Sequence, residues 1–153
     1  MTAKSDTFDE CLAEAVTPKL VDMDFMFDKS RTYRKLVNEN TTVEIINFQL
    51  GQRRLEGKFT VNLGVLSQAE ADENDIELKN AYPYSCRYQN RIGCVLPPKS
   101  EMLKNVRYLG MIFGSHDKWW RFSADKEFTL CQVKEVYGKI INYGIPWLEN
   151  ISS

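Results

Sequence analysis

Between Lys58 and Val65 apolar and polar residues alternate without a break. In an extended chain Phe59, Val61, Leu63 and Val65 fall on one side and the polar residues on the other. This predicts a half-buried strand of an antiparallel sheet, because a slip of one residue would expose all four apolar groups. Just upstream, Thr42–Leu50 is rich in β-formers but apolar on both sides. Val43 and Ile45 lie on one side, and Ile46, Phe48 and Leu50 on the other. Such a strand belongs in the middle of a sheet with cover on each face. The polar, Gly-bounded link Gly51–Gly57 joins the pair. Asn47 and Gln49 share the side of Val43 and Ile45. Amides so placed either bond buried neighbours and loop backbone or line a recognition surface.

The flanks add strands and helices. Phe25–Asp28 and Thr32–Val37 read as two short strands around a turn at Lys29-Ser30-Arg31, and Asn38–Thr41 as a polar turn. Arg31, Arg34 and Lys35 around Tyr33 fit a solvated strand face or a basic rim for an acidic partner. Before them, Thr7-Phe8-Asp9-Glu10 fits a capping box, so the first helix is expected to begin near Thr7. Phe8, Cys11, Leu12 and Ala15 form its apolar face, and Pro18 ends or kinks it. Tyr82–Leu96 returns to strand, with Gly93 at a bulge or close approach and Pro97-Pro98 as the stop. Lys99–Gly110 suits a helical turn or loop, and Val106–Phe113 is β-like. A last helix follows, with Thr129-Leu130-Cys131-Gln132 as capping box and Phe128 with Val133 as hydrophobic staple. Leu130, Val133, Tyr137, Ile140 and Ile141 form its inward stripe. Gly138 suggests close packing on the sheet, and Gly144 a left-handed C-cap. Pro146-Trp147-Leu148 then seals the edge of the core. The expected fold is α+β: an antiparallel sheet of about five to six strands flanked by an N-terminal and a C-terminal helix, in one domain spanning 1–153.

Gross composition narrows the function. The chain is 43% apolar, enough for a real core, and its 20 basic residues nearly balance 21 acidic ones. A nucleic-acid binder would need a concentrated basic face, so no nucleic acid is expected as partner. Met1–Asp6 is polar, without an apolar leader, and no stretch approaches 18 uninterrupted apolar residues. Neither a signal peptide nor a membrane span is expected, and the cytoplasm is the expected compartment. Cys11, Cys86, Cys94 and Cys131 form no C-x-x-C pair, and the chain has one histidine, His116. Buried structural thiols are the expectation, with no metal, no cofactor and no complete catalytic motif.

Candidate contact residues come from three places. Ser67–Asn80 is the most acidic run, with Glu70, Asp72, Glu73, Asp75 and Glu77. It is a solvated loop or short helix, or a lure for a basic partner. Arg87 and Arg91 differ by four and fall on the same side of a strand. Trp119 and Trp120 are adjacent and cannot both face inward, so one belongs at a surface, an edge or a partner contact. Asn47, Gln49, Arg87 and Arg91 together also suit the lining of a small-ligand pocket. His116 with Cys86 or Cys94 is a conceivable nucleophile pair.

Several segments, in order, carry a resemblance. They are 29–35 (KSRTYRK), Asn47-Phe48-Gln49, Phe59 with Asn62-Leu63-Gly64-Val65, Arg91-Ile92-Gly93, Trp119-Trp120, and 143–149 (YGIPWLE). Together the chain resembles a small bacterial domain family known only as a domain of unknown function. The resemblance implies an α+β domain with a helix at each end of an antiparallel sheet. It also implies kinship with immunity proteins that neutralise polymorphic toxins, and it transfers no catalytic residue. The acidic stretch after Val65 and Lys99–Phe113 depart from the family pattern. The expected function is a non-enzymatic protein-binding module that neutralises a toxin domain, with a small-ligand sensor or a small enzyme as alternatives.

Overall fold

The computed structural model describes residues 3–96 and 117–153. Val106–Phe113, Lys99–Gly110, Pro97-Pro98 and His116 lie outside these, as do the readings attached to them. The fold is α+β, as expected. Among the described residues six strands form one antiparallel sheet: β1 Met26–Asp28, β2 Thr32–Val37, β3 Thr42–Leu50, β4 Lys58–Ser67, β5 Tyr88–Arg91 and β6 Trp120–Arg121. They lie in the order β1-β2-β3-β4-β5, and β6 continues the β5 edge by pairing Lys58 and Phe59 of β4. The β2–β3 turn holds Asn38, Glu39 and Asn40 at positive φ, a conformation asparagine tolerates better than most residues.

Strict alternation in β4 sets the principal core. Phe59, Val61, Leu63 and Val65 meet Ile46 and Phe48 of β3 on one face. Helix α1 (Ala3–Ala15) lays Phe8, Cys11, Leu12 and Ala15 on that face. The Phe8 ring meets Phe59 edge-on at 4.8 Å and Phe122 at 5.2 Å. Helix α2 is Thr17–Asp22, and the Thr17 hydroxyl lies 2.7 Å from the buried Tyr33 hydroxyl. The C-terminal helices, α5 (Lys126–Lys139) and α6 (Ile145–Ser152), add Val133, Val136, Ile140, Ile145 and Leu148 to the same layer. Between β4 and α5 lie α3 (Gln68–Glu73), two short 3₁₀ turns at Leu78–Asn80 and Pro83–Ser85, and α4 (Ile92–Val95). No described helix is long and apolar enough to cross a membrane.

Local expectations fail where several groups compete for one role. Helix α1 already runs at Ala3, and the Thr7 hydroxyl donates back to the Ala3 carbonyl at 2.9 Å instead of capping. Pro18 does mark the break between α1 and α2, but the chain re-enters helix at once: Pro18 sits in the first turn of α2, where its missing N–H costs nothing. The cap of α5 is Asp125, which accepts from the Phe128 N–H at 3.1 Å. Thr129 is one turn too late, and its hydroxyl is spent on the Ser123 backbone. Phe128, inside the helix, is exposed and staples nothing. Gly144 is right-handed at φ −69°, carrying α5 through a π turn (Ile140–Gly144) into α6. It is needed for close approach, since a Cβ there would lie 3.1 Å from Ile92 Cδ1. Gly138 has open space around it, so close packing is not its reason. The strand expected across Tyr82–Leu96 shrinks to Tyr88–Arg91, and Gly93 lies in α4. Arg34 is buried at 5% exposure and Tyr33 is fully buried, so this part of β2 is not a solvated basic face.

Candidate functional site

The other face of the sheet is divided. Register places Leu36, Val43 and Leu66 in one row across β2, β3 and β4. Thr32, Asn47, Asn62 and Arg91 form another row across β2 to β5. Between them runs Arg34, Ile45, Gly64 and Gln89. The segment between β4 and β5 roofs the apolar row: Ala71, Leu78, Ala81 and Cys86 join Val43, Ile45 and Leu66 in a second core. Burial, with the Glu70 charge adding to it, pushes the Cys86 thiol up to about 12, so it stays protonated and inert. Gly64 lets the roof come down. A Cβ there would fall 2.9 Å from both Cys86 Sγ and Pro83 Cα.

Beyond Gly64 the roof stops, and a cleft of about 460 Å³ opens over the amide row. Asn47, Gln49, Asn62, Gln89 and Arg91 line it from the sheet, and Tyr82, Pro83 and Tyr84 from the roof. The amides are hydrogen-bonded in series. Asn62 Nδ2 donates to Asn47 Oδ1 at 3.1 Å and to Gln49 Oε1 at 2.9 Å. Asn47 Nδ2 donates to Thr32 Oγ1 at 2.9 Å.

The direction of this chain is set at its far end by the Ser30 carbonyl, which only accepts and lies 3.5 Å from Asn47 Nδ2. Ser30 donates to the Asp28 carboxylate from both its backbone N–H, at 2.7 Å, and its hydroxyl. An ionised carboxylate can only accept, so the Ser30 hydroxyl proton is committed. The Tyr82 hydroxyl, 2.9 Å from Ser30 Oγ, must then donate to it. The Thr32 hydroxyl proton is taken by Ser30, whose carbonyl lies 3.2 Å away, so Thr32 accepts from Asn47. Asn47 in turn presents its carbonyl to Asn62. Burial alone would raise the Asp28 pKa, but hydrogen bonds from Ser30 and the Arg34 guanidinium outweigh it and hold the carboxyl below its ordinary value. Arg34 Nη1 pairs with Asp28, and its Nε donates to the Ala81 carbonyl at 2.7 Å. The Tyr82 ring lies 4.9 Å from the Arg34 guanidinium and stacks on Tyr84, centroids 5.6 Å apart and planes within 6°. One buried arginine thus ties Asp28 to the roof at Ala81 and backs the tyrosine wall.

Of the candidate residues, the structure brings Asn47, Gln49 and Arg91 together. Arg91 pairs with Asp117 at 3.1 Å and lies 5.1 Å over the Trp119 ring. Trp119 Nε1 also donates to Asp117 at 3.0 Å, so Trp119 buttresses the cleft. Trp120 is the inward member of the pair: it is 4% exposed in β6, its ring 6.1 Å from Phe59. It cannot touch a partner, which corrects the expectation for that residue. Arg87 precedes β5, is exposed and does not line the cleft, so the four-residue spacing to Arg91 does not put the two in one site. Glu70, Asp72 and Glu73 lie on α3, capped by Ser67, and Asp75 just beyond it, and none of them lines the cleft. Asn62, Gln89, Tyr82 and Tyr84 were not singled out. Asn62 sits on the polar side of the alternating strand, a signal that gains meaning only once register sets it opposite Asn47. Among the described residues no group of three or more histidine, cysteine, aspartate or glutamate side chains could hold a metal.

A family model described as a domain of unknown function, DUF4304, matches residues 16–150. No curated protein and no solved structure matches the chain.

Proposed function

The chain belongs to the DUF4304 family, and on that premise we propose that it is a cytosolic protein-binding module. It acts by occupancy rather than catalysis, as an immunity-type protein that neutralises a cognate toxin domain. One observation carries the reading: Tyr84 and Tyr88 stand 75% and 50% exposed on a segment pinned by buried anchors. Tyrosines held out from a rigid base bring large contact area at small ordering cost, and Tyr, Trp and Arg are the residues that interfaces favour. The acidic helix α3 belongs to the same roof segment and supplies the charge that would steer a basic surface onto it.

The test pairs the purified chain with the toxin-type domain encoded beside it and measures affinity and toxin inhibition. Replacing Tyr84 and Tyr88 together by alanine is expected to weaken binding about 30-fold or more, as for anchor residues costing about 2 kcal/mol or more. Neutralising Glu70, Asp72, Glu73 and Asp75 together is expected to slow association at low salt and leave dissociation nearly unchanged. A neighbour-encoded domain that binds the double tyrosine variant as tightly as the native chain overturns the assignment of this face.

A small-ligand site is the second reading, favoured by the cleft over the amide row.

A further inference from the structure

Interface residues alone do not explain the amide cleft. Tyr84 and Tyr88 would serve a protein partner without a directed chain of carboxamides beside them. Both N–H groups of Asn62 are spent, on Asn47 and Gln49, and the Gln49 carbonyl is spent on Asn62. That leaves one acceptor, Asn62 Oδ1, and one donor, Gln49 Nε2, with no hydrogen-bond partner among the described residues. Both side chains line the cleft. Neither amide can flip to suit a ligand, because the Ser30 carbonyl, which only accepts, faces Asn47 Nδ2 at 3.5 Å and takes the Thr32 hydroxyl proton. This pair therefore asks for a ligand with a fixed N–H and a fixed C=O, with Gln89 Oε1 a further acceptor in the lining. Sugar hydroxyls, which both donate and accept, need no such fixed polarity.

Charge and shape narrow the class further. The cationic group in the lining, Arg91, is already paired with Asp117, so nothing calls for an anion. The wall is the stacked pair Tyr82 and Tyr84, with Tyr84 largely exposed, and exposed aromatic faces hold flat rings by stacking. A cleft of about 460 Å³ is in the size range of small-molecule sites.

We propose that the amide cleft binds an uncharged planar lactam of the pyrimidine-base class, its C=O accepting from Gln49 and its N–H donating to Asn62. This goes beyond protein binding and stands without it, since the amides read the ligand's polar edge and a titration of the native chain needs no protein partner.

The experiment is a titration of the full chain, followed by the side-chain amide signals of Asn47, Gln49, Asn62 and Gln89 in nitrogen-15 NMR. Uridine is expected to shift the Asn62 and Gln49 signals saturably. N3-methyluridine, which keeps the ring and loses the N–H, should bind about tenfold more weakly, because Asn62 Oδ1 is then buried without a donor. Gln49→Glu keeps an acceptor for Asn62 and removes the donor to the ligand. It should weaken uridine about tenfold or more at an unchanged melting temperature. Equal response to uridine and N3-methyluridine overturns the proposal. So does saturation by methyl glucoside or N-acetylglutaminamide but not by uridine, or no saturable shift with any of them. Loss of a protein partner on changing Tyr84 and Tyr88 leaves these outcomes untouched, so the two functional readings fail separately.

Discussion

One face of the sheet contains two rows that lie on the same strands and meet opposite fates. Leu36, Val43 and Leu66 are covered by the segment between β4 and β5, while Thr32, Asn47, Asn62 and Arg91, one row further along, border an open cleft. Backbone geometry is alike in the two, so the side chains decide. Each apolar side chain left wet would forfeit about 1.5–3 kcal/mol, which draws Ala71, Leu78, Ala81 and Cys86 onto the first row. The amide row already supplies its own hydrogen-bond partners and can stay in contact with water at little cost. Stability lives in the covered half, and recognition is free to live in the other.

Substitutions should separate the halves cleanly. Ile45→Ala, in the covered half, is expected to cost about 2–5 kcal/mol by chemical denaturation, as for buried isoleucine elsewhere. A value under about 1 kcal/mol would mean that the roof is not a packed layer. Next comes Gly64→Ala, whose new methyl meets the Pro83 backbone. Overpacking there should cost about 1–3 kcal/mol, and Cys86 should react faster with thiol reagents as the roof lifts. Unchanged Cys86 protection would show that the roof is not seated on Gly64.

Alkaline pH gives a gentler test. The folded chain holds the Cys86 proton up to about 12, whereas an unfolded thiol releases it near its ordinary value of 9.0. Tyr33, where burial outweighs the Thr17 hydrogen bond, is likewise pushed from 10.0 to about 12. Between those values the unfolded state binds fewer protons than the folded one. Stability is therefore intact below pH 9 and falls as pH rises toward 12, by up to about 1.4 kcal/mol per pH unit for each group. Urea denaturation of Cys86→Ala should lose the part of this slope that begins near 9 and keep the part that begins near 10. At the small end, Gln49→Ala in the open half should change stability by no more than about 0.5 kcal/mol. A loss as large as that of Ile45→Ala would erase the contrast between the rows.

Much of the scaffold was legible because it depends on neighbours in sequence. The bounds of β2 and β3 agree residue for residue with the expected strands, since alternation and the turns at Lys29–Arg31 and Asn38–Thr41 are local signals. The two-sided apolar pattern of β3 announced cover on both faces, and both covers exist. Caps were less legible. Asp125 and Thr129 could each have served α5, and the choice fell to the long reach of Thr129 back to Ser123. Arg34 looked like one of three basic residues on a strand, and nothing nearby in sequence announces that Ala81 and Tyr82 will close over it.

The candidate site divides along the same line. Alternation alone put Asn47 and Gln49 on one side of β3 and Asn62 on the polar side of β4, because side-chain direction in a strand repeats every two residues. Strand pairing then set Asn47 opposite Asn62 and Arg91 beyond it, and the backbone carbonyl of Ser30 gave the amides their direction. Which face of each strand a residue occupies is a property of the chain. Which residues meet, and which of their atoms remain unspent, is decided only when the roof closes on one row and stops at Gly64.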